Sequence, residues 1–277
     1  MAITNFIPTI WSENLYQALD TQYIGVSNCN REYEGEIKNC GSVVKICGVG
    51  QIDVNDYTKN TDMGNPQSLS DTVKELTIDQ AKYFNFQIDD IDRAQASHKL
   101  MDAAMKVAAS GLASEAEKYV YSLVDKASLV MSYDDVSVSN ILDCIIEARE
   151  KLYSENVTDS SSIVIEVSPG IASLLLKAKI DLSTDNTAAL ENGCIGSIAG
   201  CNVFVSGNII VKREDSTIYH KCLVRTKRAI AFAEQLSEID AYRPEKRFAD
   251  AVKGLHLYGA SIVYPNEMIA LKLGIER

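Results

Sequence analysis

The stretch NGCIGSIAG, residues 192–200, is the most glycine-rich of the chain and its first candidate for chemistry. Closely spaced glycines let backbone N–H groups close on a phosphate, but such a loop needs a strand before it and a helix after it, so that the helix N-terminus meets the anion. Here the strand pattern VFVSGNII (203–210) follows instead, and GK[ST] occurs nowhere. The stretch reads as a tight loop leading into that strand. Asp89, Asp90 and Asp92 could hold Mg²⁺ or act as an acid/base pair. Carboxylates at a helix start also complement its dipole, which is the simpler account. Asp134 and Asp135 open a turn. His98, His220 and His256 are the three histidines, and nothing in the sequence brings a Ser or Cys nucleophile to any of them. Lys38 and Asn39 read as polar turn chemistry. Arg243, Lys246 and Arg247 in YRPEKRF make a small positive patch, either a solvated loop or a contact with the acidic surface of a neighbour.

Seven cysteines, at 29, 40, 47, 144, 194, 201 and 222, are an odd number without a CxxC or CxH pair. Their spacing suits no common zinc motif, so they read as small buried thiols, with no metal, cofactor or structural disulfide expected. The residues thus offer no catalytic constellation, and the chain is not read as an enzyme.

Across 277 residues, 46% apolar and 23% charged content describes a globular protein of one large domain or two. No apolar run approaches the ~18 residues of a membrane span, and the first basic residue is Arg31, so no signal segment is expected. A net charge of −11 disfavours wrapping of a phosphate backbone.

The elements that must carry this surface have an unusual order. Trp11, Leu15, Leu19 and Tyr23 stand at helical spacing after Ser12, which predicts an arm with one short helix. The lone Trp11 is an anchor, either in a core or on a neighbouring subunit. From 31 to 88 the pattern is β. SVVKIC (42–47) and QIDV (51–54) form one broken strand with Gly48 and Gly50 as bulge positions, TVKELTI (72–78) returns, and KNTDMGNPQSLS (59–70) is the tip. At ~3.3 Å per residue such a ribbon reaches ~40 Å. Alone in water it is not stable, and no cover for it is visible in the rest of the chain. Phe84, Phe86 and Ile88 alternate with polar residues in a further strand that runs straight into a helix predicted over 90–127, ~55 Å long. Helices at 138–153 and 170–180 then alternate with strands at 161–169 and 203–210. Four apolar runs, YHKCLVRT, RAIAFAEQL, LHLYGASIVY and EMIALKL, predict a terminal sheet packed on the long helix.

YEGEIKNCGSVVKICGVG, DQAKYFNFQIDDIDRAQA and LMDAAMKVAASGLASEAEKYV, followed by GCIGSIAGCNVFVS and LYGASIVYPNEMIALK, resemble in this order the major capsid proteins of tailed bacteriophages with the Hong Kong 97-type fold. The resemblance implies an α+β chain with an N-arm (1–30), an extended β-hairpin loop and its base (31–88), a peripheral-domain spine helix (89–133), an axial domain (134–227) and mainly peripheral-domain strands (228–277). It implies self-assembly as pentamers and hexamers into an icosahedral head enclosing double-stranded DNA without sequence-specific binding. With it come a virion location, assembly in the bacterial host cytoplasm, a portal and, because the chain starts at the arm, a separate scaffolding protein. Inter-subunit contacts are expected at Trp11, at Asp62, Met63, Asn65 and Pro66 of the ribbon tip, and at Arg243, Lys246 and Arg247. Two other classes stay open. One is an encapsulin-like compartment shell carrying enzyme cargo; the other is a nucleotide-binding enzyme built around 192–200.

Overall fold

The structure is a computed structural model, and it describes residues 15, 17–33, 41–49, 56, 59, 71–89, 99–157, 159–178, 194–214, 216–246 and 248–276. Strands β1 (Val43–Val49) and β2 (Asp71–Thr77) pair antiparallel from Val43↔Thr77 to Val49↔Asp71, the base of the expected ribbon. Gly48 pairs Thr72 in regular register, so the bulge expected there does not form. Gly50 and the tip lie outside the described residues.

The base has its cover within the chain, contrary to the sequence reading. Strands β3 (Gln80–Asp89), β10 (Ile230–Tyr242) and β11 (Ala249–Ile262) form a three-stranded sheet in the order β10-β11-β3. Val44, Ile46, Leu76 and Ile78 of the ribbon base pack on Ala231, Ala233, Leu257 and Val263 at one end of its outer face. Each fully buried aliphatic side chain there contributes roughly 1.5–3 kcal/mol. The alanines and Gly259 permit the approach: a Cβ on Gly259 would lie 2.2 Å from the Thr77 carbonyl oxygen.

The inner face of this sheet meets helix α1 (Lys99–Ser122), which a 3₁₀ turn, Leu123–Lys126, prolongs. Met105, Ala109, Leu112, Ala113, Ala116 and Val120 make its buried stripe, against Phe232, Val252, Tyr258 and Ala260. On β3 the alternation is as expected, with Phe84 and Phe86 turned to this core and Tyr83 to solvent. The helix runs unbroken through Ser110 and Gly111. Positions 90–98 of the expected spine lie outside the described residues, and the described helix is ~36 Å long.

Leu15, Leu19, Tyr23 and Val26 are buried in the same core. Leu15 and residues 17–20 are helical as read, Tyr23 follows after a turn instead of on the helix, and these apolar side chains are buried on their own chain.

Seven strands form the second sheet: β4 (Leu129–Tyr133), β5 (Ile163–Val167), β6 (Cys194–Ile198), β7 (Cys201–Val205), β8 (Val211–Glu214), β9 (Thr217–Thr226) and β12 (Met268–Glu276). Their order is β4-β12-β9-β5-β7-β6, with β8 beside β9. The four terminal runs thus divide between two sheets instead of forming one. β9 and β12 lie in the large sheet, β10 and β11 in the small one. Helices α2 (Ile141–Ser154) and α3 (Pro169–Lys177) cover one face of the large sheet, burying Ile163, Ile165, Val203, Val224 and Leu271. Leu223, Met268 and Ala270 on the other face join the core of α1.

Candidate assembly surface and the buried polar junction

Arg243 and Lys246, at the turn between β10 and β11, are exposed, while Trp11, Asp62, Met63, Asn65, Pro66 and Arg247 lie outside the described residues. The patch is not purely basic. Arg243 Nε stands 3.8 Å from Asp250 Oδ1, and Glu245 is exposed beside Lys246. An exposed pair of this kind contributes little by itself. More telling is Phe248, 82% exposed at the same turn, which the charge-centred sequence reading passed over. Tyr83, 78% exposed on β3, stands opposite Leu255 on the outer face of the small sheet. Next to them Asn85 bonds the Tyr242 hydroxyl at 3.1 Å, and Lys253 reaches Asp240 at 3.4 Å. A shallow concavity opens here, lined by Tyr83, Asn85, Asp240, Lys253 and Leu255. Gly254 forms its floor, where a Cβ would meet the Phe84 ring at 2.5 Å. This face continues the one on which the ribbon base sits, and Tyr83 and Leu255 are its exposed apolar side chains here.

The chemical candidates resolve into structure. Residues 194–205 are a β-hairpin, β6–β7, not a loop before one strand. Ala199 (φ 51°) and Gly200 (φ 84°) supply the two positive-φ positions of its tight turn. A strand follows where a phosphate loop requires a helix. Asp134 accepts from the Tyr219 hydroxyl at 3.2 Å, and the Asp135 carbonyl accepts from the Asn140 side chain. Asp89 ends β3, while Asp90, Asp92 and His98 lie outside the described residues.

One pair escaped the sequence reading: Ser168 Oγ lies 2.7 Å from His220 Nδ1, across 52 positions. Ser168 is 1% exposed and accepts the Ile171 N–H as the cap of α3. Burial lowers the His220 pKa, and Gly170 closes over the ring so tightly that a Cβ there would stand 2.9 Å from Cε1. The pair fixes a helix start and offers no room for a substrate. His256 Nε2 bonds Glu234 at 2.8 Å, and that carboxylate also accepts from the Tyr23 hydroxyl at 2.5 Å and Arg31 Nη2 at 2.7 Å. Cys29, Cys144, Cys194, Cys201 and Cys222 are buried free thiols, and burial pushes Cys29 up to about 11 and Cys222 up to about 12. At neutral pH both are thiols, not thiolates. Among the described residues no group of three His, Cys, Asp or Glu is arranged to hold a metal.

The densest polar site is buried. Arg225 on β9 and Glu166 on β5, each fully buried, form a two-pronged pair with Nε and Nη2 at 3.0 and 2.9 Å from the carboxylate oxygens. The Glu166 carboxylate holds the Arg225 guanidinium in its charged form. From α1, the buried Glu117 carboxylate accepts the Ser206 hydroxyl at 3.0 Å and the Asn208 amide at 2.9 Å. Both groups close on residues 24–29. The signal in the sequence was a carboxylate inside the apolar run IVIEV, a place where an ionised side chain needs a buried partner.

No family model and no curated protein sequence matches the chain. Its fold does have solved relatives. The structure of Mycobacterium phage Che8 contains a chain 27% identical, with TM-score 0.69 over 90% of this chain and 91% of that one. The capsid of Ralstonia phage GP4 is 13% identical, with TM-score 0.68 over 94% and 91%. A virus-like particle from Pyrococcus furiosus is 10% identical, with TM-score 0.57 over 96% and 99%. With its two sheets and the long helix between them, the chain has the fold of the tailed-phage major capsid proteins.

Proposed function

We propose that the chain is the structural subunit of a tailed-phage head, assembling through many copies of one contact set into a closed icosahedral shell of pentamers and hexamers. The observation that carries this is a fold shared with phage capsid chains over about nine-tenths of both lengths. In this reading Trp11, the tip residues Asp62, Met63, Asn65 and Pro66, and Arg243, Lys246 and Arg247 touch neighbouring copies. The exposed rings of Phe248 and Tyr83 belong to the same contact set. The role is mechanical instead of catalytic, and the burial of the Ser168–His220 pair supports that. The shell encloses double-stranded DNA, consistent with a net charge of −11 that does not grip a phosphate backbone. A portal, a scaffolding protein and assembly in the host cytoplasm complete the proposal. Electron microscopy and sedimentation of the chain, alone and co-expressed with its neighbouring reading frames, test it. Closed particles of uniform size support a shell, and a persistent monomer in both conditions overturns it.

A compartment shell with protein cargo is the second reading, favoured by the likeness to the Pyrococcus furiosus virus-like particle. Particles that carry a co-purifying enzyme and no nucleic acid would support it over a head.

A further inference from the structure

Residues 24–29 are gripped from two sides by groups that belong to different layers. From α1, Glu117 Oε1 accepts the backbone N–H groups of Ile24 and of Gly25, the latter at 2.7 Å. From the large sheet, Arg225 donates Nη2 to the Gly25 carbonyl at 2.9 Å and Nη1 to the Asn28 carbonyl at 2.7 Å. The Asn28 side chain returns to Glu166 at 3.3 Å. One short turn thus has its donors met by a helix and its acceptors met by a sheet, with Gly25 serving both. It also lies flat on α1, since a Cβ on Gly25 would stand 2.7 Å from the Tyr121 ring. Immediately afterwards Asn30 bridges to the small sheet, through Asn30 N–H to the Ile230 carbonyl and Phe232 N–H to the Asn30 carbonyl, each at 2.9 Å. A single segment of chain is therefore bonded to the helix and to both sheets.

Filling such a joint with apolar side chains would cost less than burying two carboxylates and a guanidinium, and ionic groups in cores are best attested as devices that fix one arrangement among several. We propose that residues 24–30 are a conformational latch: while they are seated, α1 and the seven-stranded sheet hold one relative orientation, and unseating them frees that orientation. The stretch N-terminal to Leu15 is joined to the latch through residues 15–23. On the shell reading above, a neighbour that holds that stretch acts on the joint within the subunit.

The test places one spin label on Val107 of α1 and another on Lys212 of β8, both exposed, each introduced as cysteine with Cys40 and Cys47 replaced by serine. Labelled whole chain is diluted with unlabelled chain, so only the separation within one subunit is read, whatever the oligomer. The parent is expected to give one narrow separation. Glu117→Gln puts an NH₂ group in place of one carboxylate oxygen, against two of the four donors that Glu117 accepts, and Arg225→Lys cannot span both carbonyls and the carboxylate; each is expected to lose the narrow separation. Asn208→Ala removes one of the donors to Glu117 and is expected to broaden the distribution less. If either strong variant fails to fold, Asn208→Ala carries the test. Folded variants that keep the parent's narrow separation would overturn the latch. Because particle formation is scored separately, a missing shell would count against the assembly reading and leave the latch standing.

Discussion

Replacing Arg225 by methionine leaves the Glu166 carboxylate buried without a counter-charge and the Gly25 and Asn28 carbonyls without donors. Breaking one half of a buried pair costs about 3–5 kcal/mol, whereas exchanging both halves for apolar residues costs less. Denaturant unfolding should therefore show Arg225→Met more damaging than Arg225→Met combined with Glu166→Leu. An Arg225→Met chain as stable as the parent would mean that the pair contributes nothing. At His220 the sign runs with pH. Burial holds its folded pKa below the ordinary 6.5, so below that value the unfolded chain binds more protons than the folded one. The stability from this residue is present above 6.5 and is lost as pH falls through the folded pKa. Between about pH 7.5 and about 5.5 the parent should lose more thermal stability than His220→Gln, and equal losses would remove His220 from the account. These residue-scale features were the least legible in the sequence. Ser168 and His220 are ordinary letters 52 positions apart, and only a carboxylate within an apolar strand hinted at the junction.

Elements were far more legible where periodicity is strong. The alternation of Phe84, Phe86 and Ile88 and the stripe on α1 are read directly, because each periodic face has one core to meet. Short strands failed for the opposite reason. β4, β6 and β8 have five, five and four residues, too few for a period to show, and glycines at 196 and 200 disguised β6 and its turn as a loop. The split of the terminal runs between two sheets was hidden too, since neighbouring strands in sequence need not pair. The cover of the ribbon base was missed because it is built of small residues, Ala231, Ala233 and Gly259, whose value lies in letting β2 approach. That closeness yields an element-scale prediction. Gly259→Ala sets a methyl 2.2 Å from the Thr77 carbonyl, which is backbone and cannot swing aside. The ribbon base must lift, and a loss of about 1–3 kcal/mol in unfolding free energy is expected, with faster hydrogen exchange in β1 and β2 than in β5. An unchanged exchange pattern would mean that the base is not held by this seat.

At the scale of the molecule, the balance is between what one chain can bury and what it leaves for others. The N-terminal segment from Leu15, the ribbon base and the helix all bury their described apolar faces in cores of their own chain. What stays in water among the described residues includes Phe248 and Tyr83, apolar surface that adds little to the stability of one chain and gains value when buried on another. At ~25 cal/mol per Å² such contacts are individually offset in large part by the entropy of association, and a closed shell becomes stable because every contact is repeated and closure makes later ones intramolecular. The two kinds of damage should therefore separate. Deleting residues 59–70, or replacing Trp11 by alanine, should leave the circular dichroism and unfolding midpoint of the chain close to the parent while particle yield in sedimentation falls sharply. Gly259→Ala and Arg225→Met should do the reverse in order, lowering the midpoint first and particles only as a consequence. Normal particles from both the tip deletion and Trp11→Ala would place the contacts that hold the shell on the folded body, at the Phe248 turn and the Tyr83 face, and Phe248→Ser with Tyr83→Ser would then be the pair that abolishes assembly.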